Sequence, residues 1–205
     1  MTTLQAEGLE AVRGERTLFA GLGFDLQRGE VAIVAGRNGS GKTTLLRILS
    51  GLRRPDAGSV RYGGETIEDL DGDYRAQVAY VGHLHGIKRE LTAIENLAVS
   101  GALHGSSRTG IAAVLDRVGL AGLADLPVQG YSAGQCRRLA LARLLISGAT
   151  LWLLDEPHAA LDRQGIHMAQ DLIVAHAAAG GMVVATAHHD LNLGATPVRR
   201  IDLAA

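Results

Sequence analysis

The stretch Gly36-Arg37-Asn38-Gly39-Ser40-Gly41-Lys42-Thr43 matches the phosphate-binding pattern GxxxxGK followed by Ser or Thr. An apolar run rich in β-branched residues lies immediately before it, at 31–35, and predicts a strand. Leucines at helical spacing follow it as far as residue 49 and predict a helix. In such a unit, the backbone N–H groups of the turn and the positive end of the helix attract phosphate oxygens. The sequence therefore predicts an α/β fold built around this phosphate loop, residues 36–43.

The phosphate loop supplies candidate ligands for a nucleotide. Lys42 can bridge the β- and γ-phosphates as a point charge, and the Thr43 hydroxyl can bind Mg²⁺. We therefore expect a nucleoside triphosphate with Mg²⁺ at this loop. The candidate nucleotide-binding residues here are Gly36, Arg37, Asn38, Gly39, Ser40, Gly41, Lys42, Thr43 and Thr44.

Two adjacent carboxylates, Asp155 and Glu156, follow a short apolar run at 151–154 that predicts a strand. Open α/β sheets bind their ligands at the carboxyl ends of strands. Asp155 suits an outer contact to Mg²⁺, and Glu156 suits orienting or deprotonating an attacking water. Two acids at a strand end can also be merely exposed. A phosphate loop upstream needs a metal partner, however, and this favours the catalytic interpretation.

A third motif, Tyr131-Ser132-Ala133-Gly134-Gln135, opens a predicted helix. Ser132 is a favourable N-cap, and the small residues after it leave backbone N–H groups uncovered. The residues alone leave two interpretations open, namely a plain helix cap or a second helix start that receives phosphate.

Composition and charge indicate a globular chain and exclude some partners. The chain has 205 residues, with 20 Lys and Arg against 21 Asp and Glu, and a formal net charge of −1. This charge argues against holding a long polyanion by electrostatics, so we expect no nucleic-acid partner. A single cysteine excludes an internal disulfide and suits a reducing compartment. No apolar run approaches the ~20 residues of a membrane span, so we expect neither a span nor a signal peptide.

The order of the predicted elements indicates a parallel sheet covered by helices. Strands are predicted at 4–12, 22–26, 59–62 and 77–81, helices at 92–100, 110–118 and 132–145, then strand, helix and strand at 151–154, 162–178 and 182–187. The final alternation needs right-handed crossovers and a mostly parallel sheet. We expect one domain over 1–205, with a helical lobe at about 91–145 inserted in the α/β core.

The combination of motifs resembles the ATP-binding cassette (ABC) ATPase family. Five features occur in the same order as in that family. They are the phosphate loop, the signature at 132–135, the acidic pair at 155–156, the segment 160–162 and a histidine near Thr186. The resemblance implies a P-loop NTPase fold with an antiparallel β subdomain and an inserted helical subdomain, and hydrolysis of ATP with Mg²⁺ held by Thr43 and Asp155. It also implies a head-to-tail homodimer in the ATP-bound state. In that dimer, Ser132, Gly134 and Gln135 of one copy act on the ATP held by the other.

Several positions depart from the pattern of that family. His83 stands where the family has a glutamine that senses metal and water, and we keep it as a catalytic candidate. Arg13 stands where an aromatic residue usually stacks on adenine, and its planar guanidinium can also stack. The catalytic histidine that contacts the γ-phosphate is His188 or His189. Aligning Gly180-Gly181 and Thr186-Ala187 with the family selects His188, which we prefer, whereas reading Asp190 as the acidic residue after the histidine selects His189.

The stretch 81–97, VGHLHGIKRELTAIENL, is similar to one subfamily, the ATP-binding subunits of the haem-exporter system of cytochrome c maturation. This resemblance implies that the partners are the transmembrane ABC subunits of that system. It also implies a peripheral place at the cytoplasmic face of the bacterial inner membrane. Residues 84–91 are the expected docking stretch, with Leu84, Ile87 and Leu91 as apolar contacts and Lys88, Arg89 and Glu90 as a charged rim. In that subfamily the haem chemistry belongs to membrane and periplasmic partners, so we expect no direct haem ligand in this chain.

Two other functions stay open. Another ABC import or export system would share the chemistry and differ in its membrane partner. A soluble ABC ATPase acting on nucleic acid or ribosomes usually carries two cassettes or a long coiled-coil insertion. This chain has one phosphate loop and no heptad insertion between His83 and Ser132, which disfavours the soluble class.

Overall fold

The structure is a computed structural model that describes residues 3–83 (the side chain of Asp71 excepted), 86–104, 110–187 and 191–203. The strands are β1 Thr3–Arg13, β2 Arg16–Gln27, β3 Val31–Ala35, β4 Ala57–Tyr62, β5 Glu65–Thr66, β6 Val78–Val81, β7 Leu151–Leu154, β8 Met182–Thr186 and β9 Val198–Asp202. The helices are α1 Lys42–Leu49, α2 Ile67–Gln77, α3 Ala93–Leu103, α4 Ile111–Arg117, α5 Ala133–Ser147 and α6 Arg163–Ala178. Short 3₁₀ turns lie at Ala121–Leu123 and Val128–Gly130.

The central sheet of the described residues is parallel throughout, with the strand order β6-β7-β8-β3-β9. Strands β3, β7 and β8 are buried along their whole length, because both faces of the sheet are covered. Along β7, Leu151 and Leu153 enter one core, while Trp152 and Leu154 enter the other. This arrangement confirms the predicted α/β class. It also brings the carboxyl ends of β3, β7 and β8 to the same edge of the sheet.

A second sheet, with the order β2-β1-β4-β5, is antiparallel and confirms the expected β subdomain. Leu4, Leu9 and Leu26 of this sheet share a core with Leu45 and Leu46 of α1. Residues of β3, β7 and β8 belong to that same core. The shared core therefore holds α1, and with it the phosphate loop, against both sheets.

Helices α3, α4 and α5 pack on one another and contribute to the second core. Helix α3 begins with a capping box, in which Thr92 and Glu95 satisfy each other's backbone N–H groups. These helices fall where the sequence places a helical lobe, and the boundary at 91–145 stays a prediction. None of the helices among the described residues is long and apolar enough to span a membrane.

Helix α2 and strand β9, like the short strand β5, are elements that the sequence patterns do not reveal. Helix α2 has few apolar residues and an internal glycine, Gly72. It is fixed by tertiary contact instead, because the buried Tyr74 hydroxyl donates to the Leu49 carbonyl. Strand β9 is an edge strand in which Ile201 alone is buried, so it shows no apolar alternation.

Trp152 of β7 lies flat on the imidazole of His176 of α6. The two ring centroids are 3.8 Å apart and the planes are inclined by 8°. Burial lowers the pKa of His176, so its ring is neutral at neutral pH. The stacked pair joins α6 to the central sheet within the second core.

Candidate nucleotide-binding site

The phosphate loop joins β3 to α1 and leaves the first N–H groups of α1 open. Gly41 is the N-cap residue, with φ 101°, and no side chain caps this helix start. A Cβ atom at Gly41 would lie 3.0 Å from the Phe19 ring and 3.1 Å from the Cβ atom of Leu18. Glycine is therefore required at this turn, and the uncapped N–H groups remain available to phosphate oxygens.

The ammonium group of Lys42 is hydrogen-bonded within the phosphate loop. Its ammonium group donates to the carbonyl oxygens of Gly36 at 2.7 Å and Arg37 at 3.3 Å. The residue is buried, with 7% of its surface exposed. Carbonyl oxygens are neutral acceptors, so an anionic phosphate oxygen would be the stronger partner for this charge.

The environment of the Ser40 hydroxyl indicates whether the loop suits an anion. Its hydroxyl is buried and has no hydrogen-bond partner among the described residues. An unsatisfied buried hydroxyl costs about 1–3 kcal/mol. An acceptor oxygen bound at the loop would remove that cost, so the residues present are compatible with a phosphate group.

Asp155 accepts two hydroxyl hydrogen bonds at the carboxyl end of β7. The Thr43 hydroxyl donates to its Oδ2 atom at 2.7 Å, and the Thr186 hydroxyl of β8 donates to its Oδ1 atom at 2.8 Å. The structure thus brings together the two residues expected to hold Mg²⁺. A hydroxyl and a carboxylate are hard oxygen ligands of the kind that Mg²⁺ prefers, and this ion usually takes its remaining ligands from phosphates and water.

Glu156, which follows Asp155 at the carboxyl end of β7, has a strained backbone. Its φ is 50°, in the left-handed region that non-glycine residues rarely adopt. Its N–H donates to the Thr186 hydroxyl at 2.8 Å. Such strain is concentrated at functional sites.

The phosphate loop and the acidic pair share one cavity of about 420 Å³. A volume of this order suits a small molecule. The residues that line the cavity are Arg13, Leu18, Asn38, Gly39, Gly41, Lys42, Thr43, Thr44, Asp155 and Glu156.

The remaining candidates differ in how they lie relative to this cavity. Arg13, at the exposed end of β1, lines it, which is where a stacking residue is needed. His83 is exposed just beyond β6 and is not among the described residues that line the cavity. Its catalytic role stays a prediction. His188 and His189 lie outside the described residues.

The signature, residues 132–135, forms the first turn of α5 and is closed by its own capping box. The Gln135 N–H donates to the Ser132 hydroxyl at 3.2 Å, and the Ser132 N–H donates to the Gln135 side-chain oxygen at 2.8 Å. A Cβ atom at Gly134 would lie 2.9 Å from the Ala160 carbonyl oxygen, so glycine allows the segment 160–162 to approach. None of these signature residues lines the cavity of its own chain.

Arg137 is a residue of the site that sequence reasoning missed. It is 1% exposed and donates four hydrogen bonds to carbonyl oxygens at the ends of β6 and β7. Nη1 donates to Gly82 at 3.0 Å, Nη2 to Asp155 and Glu156 at 2.6 Å each, and Nε to Pro157 at 3.2 Å. Burial lowers the pKa of this guanidinium, while the charges of Asp155 and Glu156 oppose that effect.

Thr186 is also part of the site, because its hydroxyl joins the Asp155 carboxylate to the Glu156 N–H. The sequence contains no signal for this role beyond the position of Thr186 at the end of a predicted strand. Its partners become visible only once β7 and β8 are neighbours in the sheet.

The ABC transporter family model matches residues 19–159, which include the phosphate loop, the signature and the acidic pair. The chain therefore belongs to the ABC transporter family as an ATP-binding domain. The chain is 50% identical over 190 residues to the cytochrome c biogenesis ATP-binding export protein CcmA of Nitrosococcus oceani, covering 93% of this chain and 88% of that protein. It is 45% identical over 207 residues to the Escherichia coli protein of the same name, covering 99% and 97%. Within the family, the chain thus belongs with the CcmA proteins.

Solved structures share the fold. An ATP-binding cassette solved as a dimer in a post-hydrolysis state, bound to ADP and Pi, has a TM-score of 0.84 at 26% identity, over 97% of this chain and 93% of that one. A bacterial Atm1-family ABC exporter with ATP bound has a TM-score of 0.84 at 23% identity, over 98% of this chain and 37% of that one. The fold is therefore that of an ABC ATPase cassette.

Proposed function

We propose that this chain hydrolyses MgATP as the energy-coupling subunit of an ABC exporter in cytochrome c biogenesis. The observation that carries the proposal is the 2.7 Å contact between Thr43 Oγ1 and Asp155 Oδ2 beside the phosphate loop. It joins a loop built for phosphate to a carboxylate suited to Mg²⁺. Glu156 lines the same cavity and supplies a general base.

The phosphate loop binds and orients the triphosphate. The open N–H groups at the start of α1 donate to phosphate oxygens, and Lys42 exchanges the Gly36 carbonyl for the β- and γ-phosphates. Thr43 and Asp155 would hold Mg²⁺. When bound, this ion neutralises charge on the phosphates. Arg13 stacks on the base from the rim of the cavity.

Side chains at the carboxyl ends of the strands act on the attacking water. Glu156 orients it or takes its proton, so that oxygen attacks the γ-phosphorus in line with the leaving group. In our proposal, His188 steadies the γ-phosphate. His83 hydrogen-bonds water or phosphate in the place of the usual glutamine.

Glu156→Gln tests the proposed reaction. The amide keeps the shape but cannot take a proton, so we expect ATP hydrolysis to fall by about 10²–10³-fold, the usual cost of removing one preorganised catalytic group. MgATP affinity should stay near that of the wild type, and an ATP-bound dimer should accumulate. Glu65→Gln, at an exposed residue of β5, is the matched control and should hydrolyse ATP normally. Near-normal turnover by Glu156→Gln would remove Glu156 as the base.

The signature acts in trans in our proposal. Ser132, Gly134 and Gln135 of one copy would contact the nucleotide held by the phosphate loop of the other. The placement of all three away from the cavity of their own chain supports this arrangement. The proposed assembly is a homodimer in the ATP-bound state.

The proposed partners and location are supported by the relatives' name, which describes export in cytochrome c biogenesis. We propose that the chain docks on transmembrane ABC subunits of the cytochrome c maturation system, at the cytoplasmic face of the bacterial inner membrane. The cargo would be haem, handled by those subunits and not by this chain.

The docking stretch is best tested through its charged residues. Leu84 lies outside the described residues, and Ile87 is half-buried against the chain's own core, so replacing Ile87 would also disturb folding. Lys88 is exposed. We expect Lys88→Glu to weaken recovery of the chain in membranes after co-expression with the membrane subunits. Arg54→Glu, at an exposed residue between α1 and β4, should have no effect. Equal recovery of both variants would place docking elsewhere.

A further inference from the structure

We propose that Arg137 is a positioning residue for Glu156, through which the signature helix α5 sets the direction of the general base. This inference rests on the proposed hydrolysis of MgATP. The Glu156 N–H donates to the Thr186 hydroxyl at 2.8 Å, and its carbonyl accepts from Arg137 Nη2 at 2.6 Å and from the Ala159 N–H of its own turn at 3.0 Å. Of the two partners outside that turn, Thr186 belongs to the central sheet and Arg137 to α5, so the orientation of Glu156 depends on how α5 lies against the sheet.

The backbone of Glu156 needs such a restraint. At φ 50° it lies in a region that is unfavourable for a residue with a side chain. Without Arg137 the carbonyl keeps only the Ala159 N–H at 3.0 Å, a bond inside the same turn that does not tie the turn to α5. We expect the turn then to shift toward a commoner conformation and to move the carboxylate. Misplacement of a catalytic group by about 1 Å can cost about 10²-fold in rate.

The shape of arginine explains why this residue type serves here. Its planar group carries five N–H donors in fixed directions, and four hydrogen bonds reach carbonyls of both strand ends. A lysine ammonium has the charge, but its three donors radiate from a single atom. It cannot serve Gly82 and Pro157 together with Glu156.

The neighbouring Arg138 provides a contrast on the same helix. It pairs with the exposed Asp162 at 3.0 Å and donates to the Val118 carbonyl at 3.2 Å. Arg137 instead places a buried charge against neutral carbonyls, at a cost in desolvation. A buried charge that orders a strained catalytic backbone is more consistent with a positioning task than with added stability.

The consequence is a link between the signature and hydrolysis inside one chain. The signature forms the first turn of α5, and Arg137 follows it within the same helix. A shift of α5 when the signature meets nucleotide on a second copy would move Arg137 and the carbonyls that it holds. Glu156 would then reach its working position only when α5 is correctly docked.

Arg137→Met and Arg137→Lys test the proposal in the full chain, with Leu144→Ala as the matched control. Leu144 is buried in α5 and lines a cavity with Thr150 and Trp152 at the opposite end of β7 from Asp155, so its truncation lowers the melting temperature away from the carbonyls that Arg137 holds. We expect Arg137→Met to lower kcat by about 100-fold with KM within about threefold of the wild type. Arg137→Lys should restore kcat in part. Leu144→Ala should keep kcat although it melts earlier.

A double variant separates positioning from a structural role. If Arg137 acts through Glu156, adding Arg137→Met to Glu156→Gln should lower kcat by less than about threefold further, because one function is already lost. If the double variant instead loses kcat by the product of the two separate effects, the proposal is overturned. Normal kcat in a folded Arg137→Lys or Arg137→Met variant would overturn it as well. If Arg137→Met does not fold, the lysine variant decides the outcome. Failure of the proposed function looks different, since the wild type itself would then hydrolyse no MgATP.

Discussion

Helix α1 begins at Gly41 without a side-chain cap, whereas α5 begins at Ser132 inside a capping box that Gln135 completes. Both helix starts carry a sequence suited to phosphate. In α1 the first N–H groups are left to a ligand. In α5 two N–H groups are already satisfied within the chain.

This difference predicts an order of events. An open helix start accepts phosphate without first breaking an internal hydrogen bond. A capped start must exchange its cap, and an N-cap contributes about 0.5–2 kcal/mol. We therefore expect one chain to bind MgATP at α1 by itself, and the signature on α5 to engage afterwards in the dimer.

Lys42→Met removes the strongest partner at the open start. We expect MgATP affinity to fall by about 10- to 100-fold, because hydrogen bonds to charged groups contribute about 1.5–3 kcal/mol each. Titration with a fluorescent ATP analogue measures the loss. Melting of the nucleotide-free variant checks that the loop survives without the Gly36 and Arg37 contacts. Wild-type affinity in a folded variant would show that phosphate binds elsewhere.

Gly134→Ala probes the capped start. The new Cβ atom would lie 2.9 Å from the Ala160 carbonyl oxygen and displace the signature. We expect ATP hydrolysis to fall by about tenfold, equivalent to about 1.4 kcal/mol, because a charge-assisted contact to the second nucleotide is weakened. Affinity of the monomer for MgATP should not change.

Gly130→Ala is the control for that variant, since a Cβ atom there meets nothing within 4 Å. It should hydrolyse ATP at the normal rate. Reduced monomer affinity in Gly134→Ala would contradict the order of events, because it would place the signature at the nucleotide of its own chain.

Arg13→Ala gives the smallest expected effect. Arg13 is exposed, and a stacking or cation–π contact at an exposed site contributes about 0.5–1 kcal/mol, or roughly a two- to fivefold change in ATP affinity. Stacking does not distinguish the hydrogen-bonding edges of adenine and guanine, so the affinity for GTP should fall in parallel. Competition titrations with both nucleotides measure the two changes, and unchanged affinities would remove Arg13 from the site.

The phosphate loop and the acidic pair could be predicted because their chemistry fixes residue types along a continuous stretch. The predicted strand at 31–35 matches β3, and the acidic pair does follow β7. The fold class follows from the alternation of elements in the last third of the chain. Helix α2 and strand β9 could not be predicted, because tertiary packing decides them and they carry little apolar periodicity.

Arg137 could not be predicted for a different reason. Helix α5 contains three arginines, Arg137, Arg138 and Arg143, and the sequence does not distinguish them. Their surroundings in the fold differ, and Arg137 is the one that donates to the ends of β6 and β7. The same limit applies to His83, because spacing placed it after β6 without giving its direction relative to the cavity.

The flat stack of Trp152 on His176 gives this chain an optical reporter of its own. Trp152 is the chain's single tryptophan, so its emission comes entirely from β7, the strand that leads into Asp155. Its indole is 3% exposed, and the neutral imidazole shields one face from water. Separation of α6 from the sheet, or protonation of His176, would change the surroundings of the ring. The wavelength and intensity of Trp152 fluorescence therefore report on the packing of β7 without any added dye.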